Sequence, residues 1–475
     1  MSDKNPTVGR NKKFVKDIGI YAIGNLGSRF VTFLLVPLYT FYIQPSQYGY
    51  YDICFTAILI LMPFLSLQLR DGAFRFLMDA DNLQKKKAVV SFVYKTLVRN
   101  SIIAFGICGF VYFFANIQYL WLMFWLLVAM SVYEVIIQVV RGLGNTKYFV
   151  SAGIINSFLI CLFSIIFVVI LKMQVDGIFY ANILSRFATL LILELRLHII
   201  RKYFRYNFKD KAINKDILKY SIPLLPGTIC WWLVGSSNKF FIQHYLGLEE
   251  NGLYAVATKF TAILETVAYV FYQAWQETAI RQYNSLDRNK FFSLILNNYV
   301  YFLTGIVIIF SFVIKLNYFW IVDANYQASA QYLYLLAIPS MLFALSAFFD
   351  MGYQCSKKTI YTLPGILSAS IINIAGNYYL IQEYKVYGII ISSIVTFLFL
   401  FIYRIIDTRK FFKIKFNKNA ILSFILLTIS CIAFNVIQSA IMSWLYLIVV
   451  TIIMILFLPE GLKNIILAKL KKIKC

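Results

Sequence analysis

Four basic residues lie inside long apolar stretches of the sequence: Arg29, Arg186, Lys239 and Lys259. A charged side chain inside a bilayer costs about 2.5–3.5 kcal/mol on insertion scales, so each of these positions requires an explanation. Guanidinium and ammonium groups form charge-assisted hydrogen bonds with phosphate oxygens. Because only two carboxylates lie at comparable depth, an excess of positive charge is expected there. The pattern predicts a hydrated cavity that attracts an anion, and phosphate fits it well.

Two further polar groups accompany these cations. Glu265 is the central acidic residue and is the candidate site for coupling to a proton or a sodium ion. Asn25 lies four residues before Arg29, on the same face of a helix, and is a candidate polar lining residue. The competing interpretation is a set of buried salt bridges, for example between Glu265 and either Lys239 or Lys259.

Aromatic residues follow the same stretches as Lys239 and Lys259. Trp231, Trp232 and Tyr272 are candidate lining residues, since aromatic faces stack on sugar rings. Ordinary packing is the alternative, because aromatic residues make up 18% of the whole chain.

The elements that must position these residues follow from the composition. Of 475 residues, 60% are hydrophobic and 14% are charged, and the mean hydropathy is +0.72. Soluble domains are about 45–50% apolar and about 25% charged. The composition therefore excludes a disordered chain and a water-soluble enzyme, and it predicts an all-α polytopic membrane protein.

Charged residues and turn residues divide the apolar runs into fourteen predicted transmembrane helices. Their approximate ranges are 18–43, 51–69, 89–114, 119–140, 149–171, 178–200, 222–246, 253–279, 291–314, 332–354, 361–382, 387–406, 420–439 and 444–466. We predict an N-terminal six-helix bundle in residues 1–212 and a C-terminal six-helix bundle in 213–416. Residues 417–475 hold two additional helices and a basic tail.

The loops carry a strong charge asymmetry. Of the 45 Lys and Arg residues, 38 lie in one alternating set of loops and three in the opposite set. Basic residues are retained on the cytoplasmic side, so both termini are predicted to be cytoplasmic. The net charge of +24 is then explained by the orientation of the chain in the membrane. Nucleic acid is therefore not an expected partner.

Other classes of site have little support in the sequence. The seven cysteines show no Cys-x-x-Cys pair and fall mostly in apolar runs, so neither a metal site nor a disulfide framework is predicted. The two histidines are far apart. No catalytic residue, metal or cofactor is expected, and residues 1–17 are too polar for a cleavable signal.

A weak internal repeat accompanies the predicted halves. Residues 47–51 (Gln-Tyr-Gly-Tyr-Tyr) have a counterpart in 250–254 (Glu-Asn-Gly-Leu-Tyr), and residues 175–178 resemble 386–389. Chance matches in so biased a composition are the alternative. If the repeat is real, two six-helix halves have the same orientation, which is a transporter architecture.

Several segments resemble a known family. They are Lys16-Asp17-Ile18, Asn25-Leu26-Gly27, Pro37-Leu38-Tyr39, Gln47-Tyr48-Gly49 and the run from Arg70 to Phe76. With fourteen predicted helices and basic residues in the first, seventh and eighth, the chain resembles the Wzx-type polysaccharide flippases. These belong to the multidrug/oligosaccharidyl-lipid/polysaccharide exporter superfamily.

The resemblance implies a transporter and not an enzyme. It implies translocation of an undecaprenyl-pyrophosphate-linked oligosaccharide from the cytoplasmic to the outer leaflet of the bacterial plasma membrane. By position, Arg29, Lys239 and Lys259 would bind the pyrophosphate, and we add Arg186 on its chemistry. The implied partners are that lipid-linked glycan, the lipid bilayer and other membrane proteins of polysaccharide assembly.

Three other functions are compatible with the sequence. A cation-coupled multidrug exporter on the same fold is the nearest, although a cationic cavity counts against it. A membrane polysaccharide polymerase or ligase resembles chains with a large outer loop, which this sequence lacks. A purely structural membrane scaffold leaves the buried cations unexplained.

Overall fold

The computed structural model describes residues 33–205, 210–356, 358–437 and 439–457. Within these ranges the backbone forms helices and turns, and no strand occurs in them. The prediction of an all-α chain is confirmed. The chain divides into two compact units: Met1–Gln243 with Gly247–Gly252, and His244–Leu246 with Leu253–Cys475. The predicted domain boundaries after residues 212 and 416 stay predictions.

The first unit contains ten helices or parts of helices among its described residues. They are α1 (Phe33–Tyr42), α2 (Pro45–Ser66), α3 (Leu69–Met78), α4 (Leu83–Phe114), α5 (Leu120–Gly142), α6 (Thr146–Ser164, continued by a π-helical turn at Ile165–Ile170), α7 (Gln174–Leu197), α8 (Ile199–Tyr203), α9 (Lys211–Ser221) and α10 (Leu225–Leu246).

The second unit continues the helical order. Its elements are α11 (Leu248–Gln282, which begins in the first unit), α12 (Arg288–Ile321), α13 (Ala330–Phe349), α14 (Met351–Cys355), α15 (Thr362–Asp407), α16 (Lys418–Val436) and α17 (Ala440–Phe457). Short 3₁₀ turns at Ile222–Leu224, Ala324–Ser329, Thr359–Tyr361 and Thr408–Lys410 join neighbouring helices.

Eleven helical stretches in the described ranges are long and apolar enough to cross a membrane. They overlap twelve of the predicted spans, because Thr362–Lys410 covers two of them. The chain is therefore a multi-pass membrane protein. The predicted spans 18–43 and 444–466 extend beyond the described residues. The total of fourteen helices and the cytoplasmic position of both termini consequently stay predictions.

Each unit has its own apolar core. In the first unit the core includes Leu69, Val90 and Val139 of α3, α4 and α5, and in the second it includes Phe292 and Phe348 of α12 and α13. Interdigitation of such side chains fixes the angles at which the helices pack.

The helices differ in how much of their apolar surface is covered. In the most apolar part of Ala324–Cys355, 83% of the residues are buried, against 11% in Leu83–Phe114. At the C-terminal end of α4, Phe113 is 84% exposed and Phe114 is 76% exposed. Exposed apolar surface of this extent is stable against lipid and not against water. Within its unit, α13 is thus a central helix and α4 faces lipid.

The first pair of repeated segments forms a reciprocal contact within the first unit. A Cβ on Gly49 would lie 2.0 Å from the carbonyl oxygen of Leu248, and a Cβ on Gly252 would lie 2.0 Å from that of Pro45. Gly49 and Gly252 are 203 residues apart, and so are Pro45 and Leu248. Equivalent positions of the two segments therefore meet each other. The Asn251 side chain adds a hydrogen bond by donating to the Gly49 carbonyl at 2.9 Å.

The second pair of repeated segments occupies equivalent hairpins, one in each unit. Gly177 lies in the first turn of α7 and would bring a Cβ within 3.1 Å of the Phe167 carbonyl oxygen in the preceding helix. Gly388 would bring one within 2.2 Å of the Leu380 carbonyl oxygen. The second hairpin turns at Lys385, where φ is 50° and ψ is −132°, so α15 consists of two helical arms. The two arms correspond to the predicted spans 361–382 and 387–406. Together, the two pairs support a real internal repeat.

Candidate functional site

Lys239 forms a buried ion pair with Asp52. The Lys239 Nζ atom, on α10, lies 2.8 Å from Oδ2 of Asp52 on α2 and donates a hydrogen bond to Oδ1 at 3.0 Å. The Asp52 side chain is 2% exposed and that of Lys239 is 16% exposed. Asp52 Oδ2 accepts no hydrogen bond of good geometry from a described residue. This carboxylate therefore depends on Lys239 for its charge compensation.

The contact between α2 and α10 continues one turn along α2. Thr56 donates from its hydroxyl to the Asp52 carbonyl at 2.6 Å, and the Trp232 indole Nε1 donates to the Thr56 carbonyl at 3.3 Å. Trp232 precedes Lys239 by seven residues, so the two side chains share a face of α10. Trp232 thus packs on α2 beside the ion pair, whereas its neighbour Trp231 is 37% exposed.

Arg186 lies half-buried in α7 and is held by its own helix. Its Nη1 atom donates to the Asn182 carbonyl at 2.7 Å and to the Asn182 Oδ1 atom at 3.0 Å. The Asn182 amide in turn donates to the Tyr51 hydroxyl at 3.3 Å. Among the described residues, no carboxylate lies within 4.0 Å of the Arg186 guanidinium. The carboxylate of Glu134 acts on its charge from beyond that distance.

Arg186 and Lys239 thus converge on one turn of α2, since Tyr51 and Asp52 are consecutive residues. An aromatic series borders this turn. The Tyr48 ring centroid lies 6.1 Å from that of Tyr39 and 6.2 Å from that of Tyr51. Two cations, one carboxylate and several phenol groups at this position suit a polyanion.

In the second unit, Glu265 and Lys259 both lie on α11 and both are half-buried. Ser340 on α13 donates a hydrogen bond to Glu265 Oε1 at 3.1 Å. Glu265 and Lys259 each have further partners.

Tyr272 belongs to a polar network in the second unit. Gln354 donates from its amide to the Tyr272 hydroxyl at 2.7 Å and to Asp350 Oδ2 at 2.8 Å. Arg404 lies 3.3 Å from Asp350 Oδ1, and its side chain is 4% exposed. Gln276 donates to Gln354 Oε1 at 2.6 Å. These contacts tie α11, α13, α14 and α15 together.

The position of Arg404 corrects one assignment made from the sequence. It is one of the 38 basic residues assigned to loops, yet it lies buried in α15. Arg404 is therefore a buried cation in addition to the four candidates named from the sequence, and Asp350 neutralises it. When a single polar residue stands at the end of an apolar run, the local sequence does not show whether it belongs to the helix or to the loop that follows.

Two of the candidate residues, Arg29 and Asn25, lie outside the described residues.

The sequence analysis does not identify Asp52 as a carboxylate inside the membrane, because this residue lies at the edge of the predicted second span. An acidic residue at the edge of a predicted span, together with a basic residue inside another span, is the sequence signal that would indicate a buried ion pair such as that of Asp52.

The comparisons with known proteins agree with this architecture. The family model for polysaccharide biosynthesis proteins matches residues 14–276, which is more than half of the chain. The comparison with curated proteins returned no match.

Three solved transporter structures share the fold. A multidrug resistance MATE family transporter of the MOP superfamily in an inward-facing conformation is 15% identical, with a TM-score of 0.64 over 82% of this chain and 98% of that chain. The outward-facing structure so described is 16% identical, with a TM-score of 0.58 over 83% and 96%. A MATE protein in the straight conformation is 16% identical, with a TM-score of 0.57 over 84% and 96%. The inward-facing and outward-facing relatives are described as multidrug resistance transporters. The chain belongs to the polysaccharide biosynthesis protein family and has a MATE-like fold.

Proposed function

We propose that the protein flips an undecaprenyl-pyrophosphate-linked oligosaccharide from the cytoplasmic to the outer leaflet of a bacterial plasma membrane. Membership of the polysaccharide biosynthesis family and the transporter fold support this proposal. The glycan and pyrophosphate pass through a hydrated cavity while the polyprenyl tail stays in lipid. Other membrane proteins of polysaccharide assembly then take up the flipped product.

The geometry of Arg186 carries the proposal. A guanidinium inside apolar helices is stable only beside water or a counter-ion. Arg186 lies in α7 with hydrogen bonds to Asn182 and no described carboxylate within 4.0 Å. A pyrophosphate supplies the missing negative charge, and its oxygens match the fork of donors on a guanidinium.

Lys239 would bind the pyrophosphate by exchanging its present partner, the Asp52 carboxylate, for a phosphate group. Because Asp52 already neutralises Lys239, an incoming pyrophosphate competes with that carboxylate for the ammonium group. Arg29 and Lys259 are proposed as the remaining cations that bind pyrophosphate. Trp231, Trp232, Tyr272 and Asn25 are proposed to contact the glycan.

Glu265 supports a second candidate function, a cation-coupled multidrug exporter. It is a carboxylate in a membrane-spanning helix, hydrogen-bonded by Ser340, and the structural relatives include multidrug transporters. In the flippase, the same carboxylate provides a site for ion coupling. Net flux needs such coupling or consumption of the product, because a substrate bound equally in both states shifts nothing.

Replacement of Arg186 tests the proposal in cells that depend on this protein for glycan export. Arg186→Ala should lower export about tenfold or more, the cost of losing charge-assisted hydrogen bonds to a polyanion. Arg186→Lys should retain more activity because it keeps the charge. Arg29→Ala should behave like Arg186→Ala. Arg196→Ala, at the exposed end of the same helix, is the matched control and should export normally.

Membrane abundance is measured for each variant, so that loss of export is not confused with loss of protein. Normal export by both Arg186→Ala and Arg29→Ala at normal abundance would contradict the flippase proposal. Resistance to cationic drugs that disappears in Glu265→Gln, with glycan export absent throughout, would support the exporter instead.

A further inference from the structure

A cavity of about 640 Å³ lies in the second unit, and its lining residues include neither Glu265 nor the residues of the Tyr272 network. Its wall comes from the end of α11, the segment after α14 and the turn after α15. All three connections belong to loops that the charge asymmetry assigns to the cytoplasmic side. A cavity of this volume is in the range of small-molecule sites.

Two ammonium groups line the cavity. The Lys358 side chain makes no hydrogen bond or ion pair with a described residue and is exposed. The Lys410 Nζ atom lies 2.7 Å from Asp407 Oδ1 and 4.3 Å from the centre of the Tyr361 ring. Lys410 is therefore held in place, whereas the Lys358 ammonium group has no described carboxylate beside it.

A third cation lies behind the wall of the cavity. Arg288 donates from Nη1 to the Tyr283 carbonyl at 3.1 Å, and its guanidinium carbon lies 4.9 Å from the centre of the Tyr283 ring. Tyr283 itself lines the cavity, as does the exposed amide of Asn284. Among the described contacts, one carboxylate offsets three cations, which favours an anionic ligand.

The cavity also has an apolar side. Ile280 and Phe411 line it, and Ile280 is 54% exposed. Ile360, between the lining residue Lys358 and Tyr361, is 72% exposed. A free phosphate ion makes no use of such surface, whereas the glycerol and acyl carbons of a lipid cover it.

We propose that this cavity binds the phosphate of an anionic membrane lipid from the cytoplasmic leaflet, with Lys358 and Lys410 as its ligands. Basic pockets on the cytoplasmic side of membrane helices bind lipid head groups in this way. The proposal concerns a resident lipid and does not depend on the transported cargo.

The test measures lipid binding to the purified full-length protein in detergent, with short-chain phosphatidylglycerol, phosphatidylcholine and inorganic phosphate as separate probes. Phosphatidylglycerol should bind at least about tenfold more tightly than phosphatidylcholine, since each lysine near a lipid phosphate contributes to the affinity. Lys358→Gln/Lys410→Gln should weaken phosphatidylglycerol binding about tenfold or more. The matched control is Lys413→Gln/Lys415→Gln, two exposed lysines that do not line the cavity, and it should bind normally.

The single variant Lys358→Gln guards against a folding defect, because that side chain has no described partner to lose; it should bind phosphatidylglycerol more weakly than the wild type. Equal loss in the cavity variant and the control, or equal affinity for the two lipids, would overturn the proposal. Displacement of phosphatidylglycerol by millimolar inorganic phosphate would overturn it in favour of a free-anion site.

Discussion

Lys239 and Asp52 are 187 residues apart in the sequence and form one buried ion pair between α10 and α2. The pair joins the two helices at the turn that also receives Arg186 through Asn182 and Tyr51. A charged ligand that reaches this turn meets a cation whose present partner is a carboxylate. Under the proposed function, the pair would link the binding of an anion to the packing of α2 against α10.

The first prediction concerns the stability of this pair. Lys239→Met should lower the free energy of unfolding by about 3–5 kcal/mol, because it leaves the 2% exposed carboxylate of Asp52 without a counter-ion. The double variant Asp52→Asn/Lys239→Met should recover much of that loss. Denaturation of the purified protein in detergent measures both. If the loss in the double variant equals the sum of the losses in Lys239→Met and in Asp52→Asn alone, the two residues do not interact.

A second prediction concerns the buried network of the second unit. Arg404→Gln should destabilise the protein by about 3–5 kcal/mol, since Asp350 loses its partner and the Ser346 carbonyl loses a donor at 3.1 Å. Arg409→Gln is the matched control: Arg409 is exposed in the turn that follows, and its loss should cost less than about 0.5 kcal/mol. Thermal unfolding distinguishes the two variants. If Arg404→Gln and Arg409→Gln unfold at the same temperature, Arg404 is not a structural cation.

A third prediction concerns the reciprocal glycine contact. Gly49→Ala and Gly252→Ala should each reduce the amount of folded protein severely, because each new Cβ would lie 2.0 Å from a backbone carbonyl oxygen. Gly235→Ala, where a Cβ meets nothing within 4 Å, should be neutral or stabilise α10 by up to about 1 kcal/mol. Fluorescence-detected size-exclusion chromatography of the three variants compares their folded yields. A normal yield for Gly49→Ala would contradict the close approach.

Much of the fold was predictable because its causes are local. Runs of about twenty apolar residues mark spanning helices, and twelve of the predicted spans overlap helices in the described ranges. The hairpin of α15 was anticipated as two spans because Glu383 and Lys385 interrupt the apolar run. The ends of the helices were less predictable: α12 runs to Ile321, seven residues beyond its predicted end at residue 314.

The candidate site was predictable only in part. The basic residues of the membrane-spanning helices were identifiable because each one stands out from an apolar background, as Arg186 does in α7. The residues that pair with these cations were not identifiable from the sequence in the same way. Sequence reasoning weighed Glu265 as the partner of Lys239, whereas the structure pairs Lys239 with Asp52 and brings Ser340 to Glu265.

The sequence by itself determined that this chain is helical, crosses a membrane many times and carries cations in its spans, because hydrophobicity and charge act on each segment separately. Only the tertiary structure decided which charges are compensated. Asp52 neutralises Lys239, Asp350 neutralises Arg404, and Arg186 has no carboxylate within 4.0 Å among the described residues. The physical reason is that an ion pair depends on a distance of a few ångströms between residues that lie 54 or 187 positions apart in the chain.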